Sequence, residues 1–338
     1  MARIDELRLM AKIARMYHAQ GLSQIRICER LSISQATVSR ALGRAVREGI
    51  VRVSVSMPAG THTELEDTLQ SRFGLLEAVV VDSIDDDEQI SRDLGAAAAF
   101  YLENTLKPND TIGLSSWSSA LLAMVNSLHP TKRWKDTRVV QILGGVGNPS
   151  AEVHATQVTR RFADLIGGEA ILLPSPGIVG SSAARKVLLE DRFVREAIDR
   201  FPALTIALVG IGATEPSRAL ASSGNVFVPR ELRLLGSRGA VGDICLRFFN
   251  RAGKPVATEL NDRVISVELD VLRKIRRVVG VAGGQRKREA IEGALAGKWI
   301  NVLITDFNTA EFLLQTDPGT EALTPEPRAA MGGRPVRA

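Results

Sequence analysis

The sequence predicts an α/β chain in two parts: a small all-α head and a larger, Rossmann-like domain built on a parallel sheet. Three observations predict it. The first fifty residues hold three stretches of helical apolar spacing. From residue 63 onward, short apolar runs alternate with stretches of helical period. Several of those runs end in turns rich in glycine or hydroxyls, as strands do where they feed a helix. A length of 338 residues accommodates one such domain plus a small module.

In the head, Ile4, Leu7, Met10, Ala11 and Ala14 recur at three and four, so residues 3–20 read as a helix with Gly21 just past its end. Ser23 caps a second helix over 24–31, where Ile27, Cys28 and Leu31 share a face. Ser34 caps a third over 35–48, with Val38, Leu42 and Ala45 inward and Gly49 closing it. Val51, Val53 and Val55 alternate like a short strand, and Met57-Pro58-Ala59-Gly60 reads as a linker. The head is therefore 1–56.

The body, 57–316, alternates. Strands are expected at 78–81, 111–114, 138–143, 170–173, 204–209, 242–249, 263–268, 277–282 and 301–305. Helices are expected at 63–73, 86–106, 118–128, 151–166, within 182–200, and at 286–296 and 307–315. Residues 317–338 are rich in Pro, Gly and Ala without apolar periodicity and read as a disordered tail.

Composition excludes several classes. Hydrophobic residues are 45% and charged residues 24%, ordinary for a globular chain. No apolar run reaches the roughly 18 residues a membrane span needs, so no membrane partner is expected. The first thirty residues are interrupted by charges and lack a secretory h-region, so a cytoplasmic protein is expected. The two cysteines, Cys28 and Cys245, sit in apolar segments and offer neither a disulfide framework nor a metal site. Charge is uneven: residues 1–60 carry ten Lys/Arg and four acids, a net +6, which leaves −1 for the rest. A basic head on a near-neutral body points to a polyanion partner for the head alone.

The second and third helices, separated by a tight break, form a helix-turn-helix whose third helix can enter a DNA major groove by its N-terminal end. Gln35 and Ala36 open that helix, where a Gln can pair with adenine and an apolar contact can meet a thymine methyl. Thr37, Ser39 and Arg40 follow, and Arg40, Arg44 and Arg47 form a basic stripe opposite Val38 and Leu42. Ser34 at the helix start, and Ser23 and Gln24 at the start of the second helix, are placed to meet phosphate. The plainer alternative is a dimerisation module with solvated arginines.

Ligands of parallel α/β sheets bind at the carboxyl ends of strands. There, Gly113-Leu114-Ser115-Ser116-Trp117-Ser118-Ser119 offers hydroxyls and helix-start amides suited to a phosphate or a polyol. Gln141 with Gly144 and Gly145 ends another strand. Asp243 follows Gly239-Ala240-Val241-Gly242 and can accept from a ligand hydroxyl. Lys287, one turn into a helix after Gly283-Gly284, can meet an anion, and Asp306, Asn308 and Thr309 surround a last strand-to-helix junction. Each has a plainer role as cap, turn or surface residue.

Five segments together carry a resemblance. They are Gly21-Leu22-Ser23-Gln24, the run from Ser34 to Arg40, Gly239 to Asp243, Val281 to Gly284 with Lys287, and Leu303 to Asp306 with Thr309-Ala310. In order and spacing they resemble the SorC-type (SorC/DeoR) family of bacterial sugar-responsive transcription regulators, over about residues 1–315. The resemblance implies an effector domain related to ribose-phosphate isomerase and glucosamine-phosphate deaminase, assembly into dimers or tetramers, and operator DNA binding switched by a sugar, sugar alcohol or phosphosugar. Many phosphosugar-binding members have a Gly-x-Ser/Gly-Trp-Gly-x-Thr turn. Here Gly113 and Ser115 match, Trp117 stands one place later, and Ser119 replaces the threonine. Gln141, Gly144, Gly145, Asp243, Lys287, Asp306 and Thr309 match by position.

The reading is a DNA-binding regulator of a carbohydrate-utilisation operon, nucleoid-associated through its head, without catalytic residues, metal or cofactor. Its partners are double-stranded operator DNA, a small carbohydrate and itself. One alternative is a sugar-phosphate isomerase or deaminase carrying an extra head, although His18, His62, His129 and His154 join no carboxylate motif. Another is a constitutive DNA binder whose body only assembles copies.

Overall fold

The structure, a computed structural model, describes residues 2–51, 61–82, 86–130, 134, 136–145, 149–214 and 227–315. The chain divides into two compact units, Met1–Ala59 and Gly60–Ala338.

The head unit contains α1 (Ala2–Ala14), α2 (Gln24–Leu31) and α3 (Gln35–Arg47). Where the sequence predicts one helix over 3–20, α1 gives way to a π-turn at Arg15–Ala19. That wider turn brings Met16 into the core beside Ile13, Ile27, Val38 and Leu42. Ser23 and Ser34 cap α2 and α3 by accepting the Arg26 and Thr37 amides. Gly21 and Gly49 take left-handed backbone (φ +64° and +72°) beyond the first and third helices. The expected strand at 51–55 and the linker lie outside the described residues.

The body unit is built on seven parallel strands: β1 (Glu77–Val81), β2 (Thr111–Leu114), β3 (Arg138–Gln141), β4 (Glu169–Ile171), β5 (Ile206–Gly210), β9 (Arg277–Val281) and β10 (Val302–Asp306). Their order is β1-β10-β9-β5-β2-β3-β4. A second sheet of three antiparallel strands joins β6 (Gly212–Ala213), β7 (Ala240–Ile244) and β8 (Arg247–Asn250). The helices are α4 (Thr63–Phe73), α5 (Asp87–Thr105), α6 (Ser119–Ser127), α7 (Pro149–Ile166), α8 (Ser182–Glu190) and α9 (Arg192–Ile198). They continue with α10 (Pro229–Ser237), α11 (Leu269–Leu272), α12 (Arg288–Ala296) and α13 (Phe307–Gln315).

Both faces of the large sheet are covered, as a parallel sheet requires. Along β5, Ile206 and Leu208 enter one apolar cluster with α5, α6 and α7, while Ala207 and Val209 enter another with α9, α12 and α13. The chain leaves β2 through α6 toward β3 and returns at β5 on the other side of β2. The order therefore reverses between β2 and β5, and the crevice at their carboxyl ends is where an open α/β sheet binds ligands.

Several expectations are corrected. Residues 242–249 are not one strand but the two arms of a hairpin. It turns at Cys245 and Leu246, both with left-handed φ (54° and 62°), so the break carries no glycine to announce it. Residues 263–268 make only isolated bridges, Val264 with Ile178 and Ser266 with Leu143. The one or two helices expected within 182–200 are two, divided at Asp191, which caps α9, so this expectation stands. Helix α10 was not expected, although Pro229 at its first position and Glu231, whose carboxylate accepts the Val228 amide at 3.0 Å, are readable start signals. The expected tail at 317–338 and residues 146–148, just after Gly145, lie outside the described residues.

Candidate functional site

In the head, the apolar stripe of α3 turns Val38, Leu42 and Ala45 inward, which leaves Gln35, Ala36, Ser39, Arg40 and Arg44 exposed. Ser34 and Thr37 are occupied with each other: the Ser34 hydroxyl accepts the Thr37 amide at 3.2 Å and lies 2.8 Å from the Thr37 hydroxyl. They fix the start of the helix that Gln35, Ala36, Ser39 and Arg40 present outward. Gln24 is half-buried at the start of α2. Arg40 Nε donates to the Ala36 carbonyl at 3.2 Å, which sets the side chain along the helix. Arg44, a member of the expected basic stripe, is paired within the head. Two of its nitrogens donate to one Glu48 oxygen at 3.1 and 2.8 Å, and Glu6 lies 3.6 Å away. Glu48 above all, then Glu6, hold its pKa above the ordinary arginine value. Its charge is compensated within the head, and DNA would have to compete for it.

In the body, the predicted residues separate into two kinds. The first kind lies at or beside the carboxyl ends of β2 and β5. Ser115 extends the β2–β5 pairing through its amide, 3.0 Å from the Leu208 carbonyl. Its hydroxyl is buried beside the Cys245 thiol, whose pKa it lowers. Ser116 is buried with its hydroxyl 3.0 Å from that of Thr159 on α7. Ser118 caps α6 and covers Gly210, where an added Cβ would stand 2.7 Å from the Ser118 Cβ. Ser119 is exposed, 3.0 Å from the Ser91 hydroxyl on α5. Trp117 is half-buried against the core, with an indole N–H that has no hydrogen-bond partner among the described residues.

Asp243 stands on β7, where its carboxylate lies directly over the Gly212 backbone and accepts the Leu246 amide at 2.9 Å. Burial pushes its pKa up to about 6, against the lowering pull of the Leu246 amide and of Lys287. Lys287 belongs to a single 3-10 turn, Gln285–Lys287, immediately before α12, not one turn inside a helix as the spacing predicts. Burial first, then Arg286, holds its pKa below the ordinary lysine value, while Asp243 and Asp87 oppose that shift. The two elements meet because Gly242 packs on Ala290 of α12, where any Cβ would clash. The Cys245 thiol, between Ser115 and Asp243, is pushed up to about 12 chiefly by burial and is inert at neutral pH.

The second kind shapes the crevice from behind. Gly113 is buried within β2, where a Cβ would stand 2.8 Å from Ile142. Gln141 is buried, donates to the Leu143 carbonyl at 2.9 Å and accepts from the Leu173 amide at 3.5 Å. Gly144 admits the backbone of Ser175–Gly177, which an added Cβ would meet at 2.6–2.7 Å, and Gly145 pairs with the same loop. Asp306 is buried at the end of β10. Its oxygens accept from the Gly284 amide at 2.7 Å, the Thr309 amide at 3.0 Å and the Thr309 hydroxyl at 2.6 Å. These bonds fix the turn that carries Lys287.

The sequence reading missed Gly210 and Gly212 as site glycines, Cys245 and Leu246 as the hairpin tip, and Asp87 as a rim charge. The Gly210-Ile211-Gly212 strand end was a usable signal; the glycine-free turn gave none. Among the described residues no group of three or more His, Cys, Asp or Glu could hold a metal.

Known proteins resemble the chain over both of its units. Residues 58–315 match the Sugar-bind family, a sugar-binding domain, and residues 16–52 match a winged helix-turn-helix DNA-binding family. The chain is 34% identical over 311 residues to the deoxyribonucleoside regulator of Bacillus subtilis (strain 168), covering 92% of this chain and 98% of that one. It is 32% identical over 321 residues to the sorbitol operon regulator of Klebsiella pneumoniae, covering 93% and 100%. The crystal structure of full-length SorC from Klebsiella pneumoniae superposes with a TM-score of 0.70 at 32% identity, covering 92% of this chain and 99% of that one.

Proposed function

The chain belongs to the SorC-type family of sugar-responsive transcription regulators, and from that premise we propose that a neutral, unphosphorylated sugar or sugar alcohol in the β2–β5 crevice switches the head's hold on operator DNA. The observation that supports a neutral ligand is the state of the crevice side chains. The hydroxyls of Ser116, Ser118 and Ser119 all have partners within the protein. The cation at the rim, Lys287, faces Asp243, whose charge would repel a phosphate dianion. A polyol fits better: Asp243 accepts from hydroxyls, Lys287 donates to them, and the half-buried Trp117 offers an apolar ring beside them. The relatives are transcription regulators, which favours binding over catalysis for the Asp243–Lys287 pair.

The switch is a population shift between arrangements of assembled copies, and the ligand biases it only by its difference in affinity for them. Typical coupling is about 1–3 kcal/mol. Two or more heads on one assembly raise affinity for paired half-sites through effective concentration. The test is a thermal-shift screen of the full chain against free polyols, aldoses, ketoses and their phosphate esters. A ligand at 100 times its Kd stabilises by about 2.7 kcal/mol. Stabilisation by a free sugar or polyol and not by its phosphate ester is expected. Stabilisation by phosphate esters alone would refute a neutral ligand.

A further inference from the structure

Helix α13 is bonded to the Lys287 turn on one side and to the start of the body unit on the other. On the crevice side, the Gly284 amide donates to Asp306 Oδ2 at 2.7 Å and to the Thr309 hydroxyl at 3.2 Å. That hydroxyl donates to the same carboxylate at 2.6 Å. Arg288, the residue after Lys287, donates to the Asn308 carbonyl at 3.1 Å and lays its guanidinium over the Phe312 ring, 5.2 Å from its centre. On the other side stands α4, the first described element after the chain enters the body unit at Gly60. His62, just before α4, packs its ring on Phe307 at the start of α13, with centroids 4.9 Å apart. Its Nε2 lies 2.7 Å from an oxygen of Asp82, just past β1, the strand whose Val81 stands in register with Asp306. At the far end, Arg72 of α4 donates to the Leu314 carbonyl of α13. The two helices therefore lie start beside start and end beside end.

We propose that α13 is the coupling helix of this regulator, with His62 and Phe307 as its positioning residues. A shift of the Lys287 turn moves α13, and α13 moves α4 through the Phe307–His62 contact. The state of the crevice thereby reaches the segment of chain that leads to the head. The coupling is mechanical. Thr309, Ala310 and Leu313 are fully buried, so α13 has no room to repack and passes displacement along as a block. The transmitting contact is of another kind: two half-buried rings and one exposed carboxylate. Such a contact can open without unfolding the elements it joins. The turn at the other end is sensitive to small changes, because Gly284 holds φ +90°, a backbone that glycine adopts without strain. The inference rests on the reading that the crevice controls the head. It is tested on DNA alone, without sugar, so the two can fail separately.

The experiment is a double-mutant cycle read by fluorescence anisotropy of the full chain on a duplex selected from a random library. Circular dichroism verifies folding. Gly284→Ala and Lys287→Met each disturb the turn, and the second serves if the first fails to fold. Each should change duplex affinity by about fivefold or more, in either direction. In a Phe307→Leu or His62→Ala background, the same substitution should change it by less than about twofold. Phe307→Tyr keeps a ring on His62 and should preserve the coupling. Leu165→Ala removes a half-buried apolar contact on α7, on the opposite face of the sheet, and should preserve it too. Loss of coupling in Leu165→Ala would mark a general effect of lowered stability and overturn the proposal. Turn substitutions that act equally with and without the Phe307–His62 contact would overturn it as well. So would turn substitutions that leave the wild-type duplex affinity unchanged. None of these results touches the sugar reading, which the thermal-shift screen tests without DNA.

Discussion

The head and the body place their functional groups in opposite ways. In the head, Gln35, Ala36, Ser39 and Arg40 lie on the exposed side of a helix whose other side is the core. In the body, Asp243 and Lys287 are half-buried, and burial shifts both from their ordinary titration range. A surface that reads a polyanion can stay solvated until the partner arrives, because long-range attraction assembles the complex. A crevice that distinguishes small hydroxylated molecules must hold polar groups out of water in advance, at a cost in stability. The first kind of site costs the fold little; the second leaves measurable strain.

The largest effect is expected where the body's architecture, not its ligand chemistry, is removed. Asp306→Ala strands the Gly284 and Thr309 amides in the core and should lower body stability by about 3 kcal/mol, read as a drop in melting temperature. A variant of normal stability that loses only sugar binding would move Asp306 from the supporting group to the ligand-facing group. Next is the head: Arg40→Ala should cost about 1–3 kcal/mol of sequence-specific DNA affinity without moving the body's melting temperature. Equal loss on specific and random duplexes would reduce Arg40 to a phosphate contact.

The third effect is a pH dependence. The Asp243 pKa, at about 6 in the folded protein, is above the roughly 3.9 of an unfolded chain. The folded state therefore holds its proton longer than the unfolded state does. Its contribution favours folding most below pH ~4, declines as pH rises from ~4 to ~6, and is level above that. Asp243→Asn should flatten that decline and raise the melting temperature at pH 8 while weakening sugar binding. An Asn variant less stable than wild type at pH 8 would show that Asp243 supports the fold. The smallest effect concerns Thr305, buried on β10 with a hydroxyl that finds no partner among the described residues. Thr305→Val should be neutral or stabilising by up to about 1 kcal/mol.

The same contrast explains what could be read from the sequence. One helical period marks both the core of α3 and, by exclusion, its outward face, so the residues proposed to meet DNA follow from Val38, Leu42 and Ala45. The Arg44 pairing was half legible: Glu48 stands four residues on at helical spacing, whereas Glu6 comes from another helix. Strand ends in the body were legible as places, since apolar runs meet glycines and hydroxyls there. Their roles were not. Asp243 and Asp306 look alike in sequence, yet one faces the crevice and the other holds a turn through Gly284 and Thr309. The difference lies in which amides approach each carboxylate, and tertiary packing decides that. The hairpin at Cys245-Leu246 was hidden for a related reason: the left-handed turn is enforced by buried neighbours rather than by glycine.

Control of the head by the crevice around Asp243 and Lys287 is tested most directly by fluorescence anisotropy. The full chain is titrated on a duplex selected from a random library, with and without the sugar that stabilises it. The wild type should change its duplex affinity by about 5–150-fold on adding that sugar. Asp243→Asn should bind the duplex as tightly and lose the response. A variant that responds like the wild type would contradict control through this crevice.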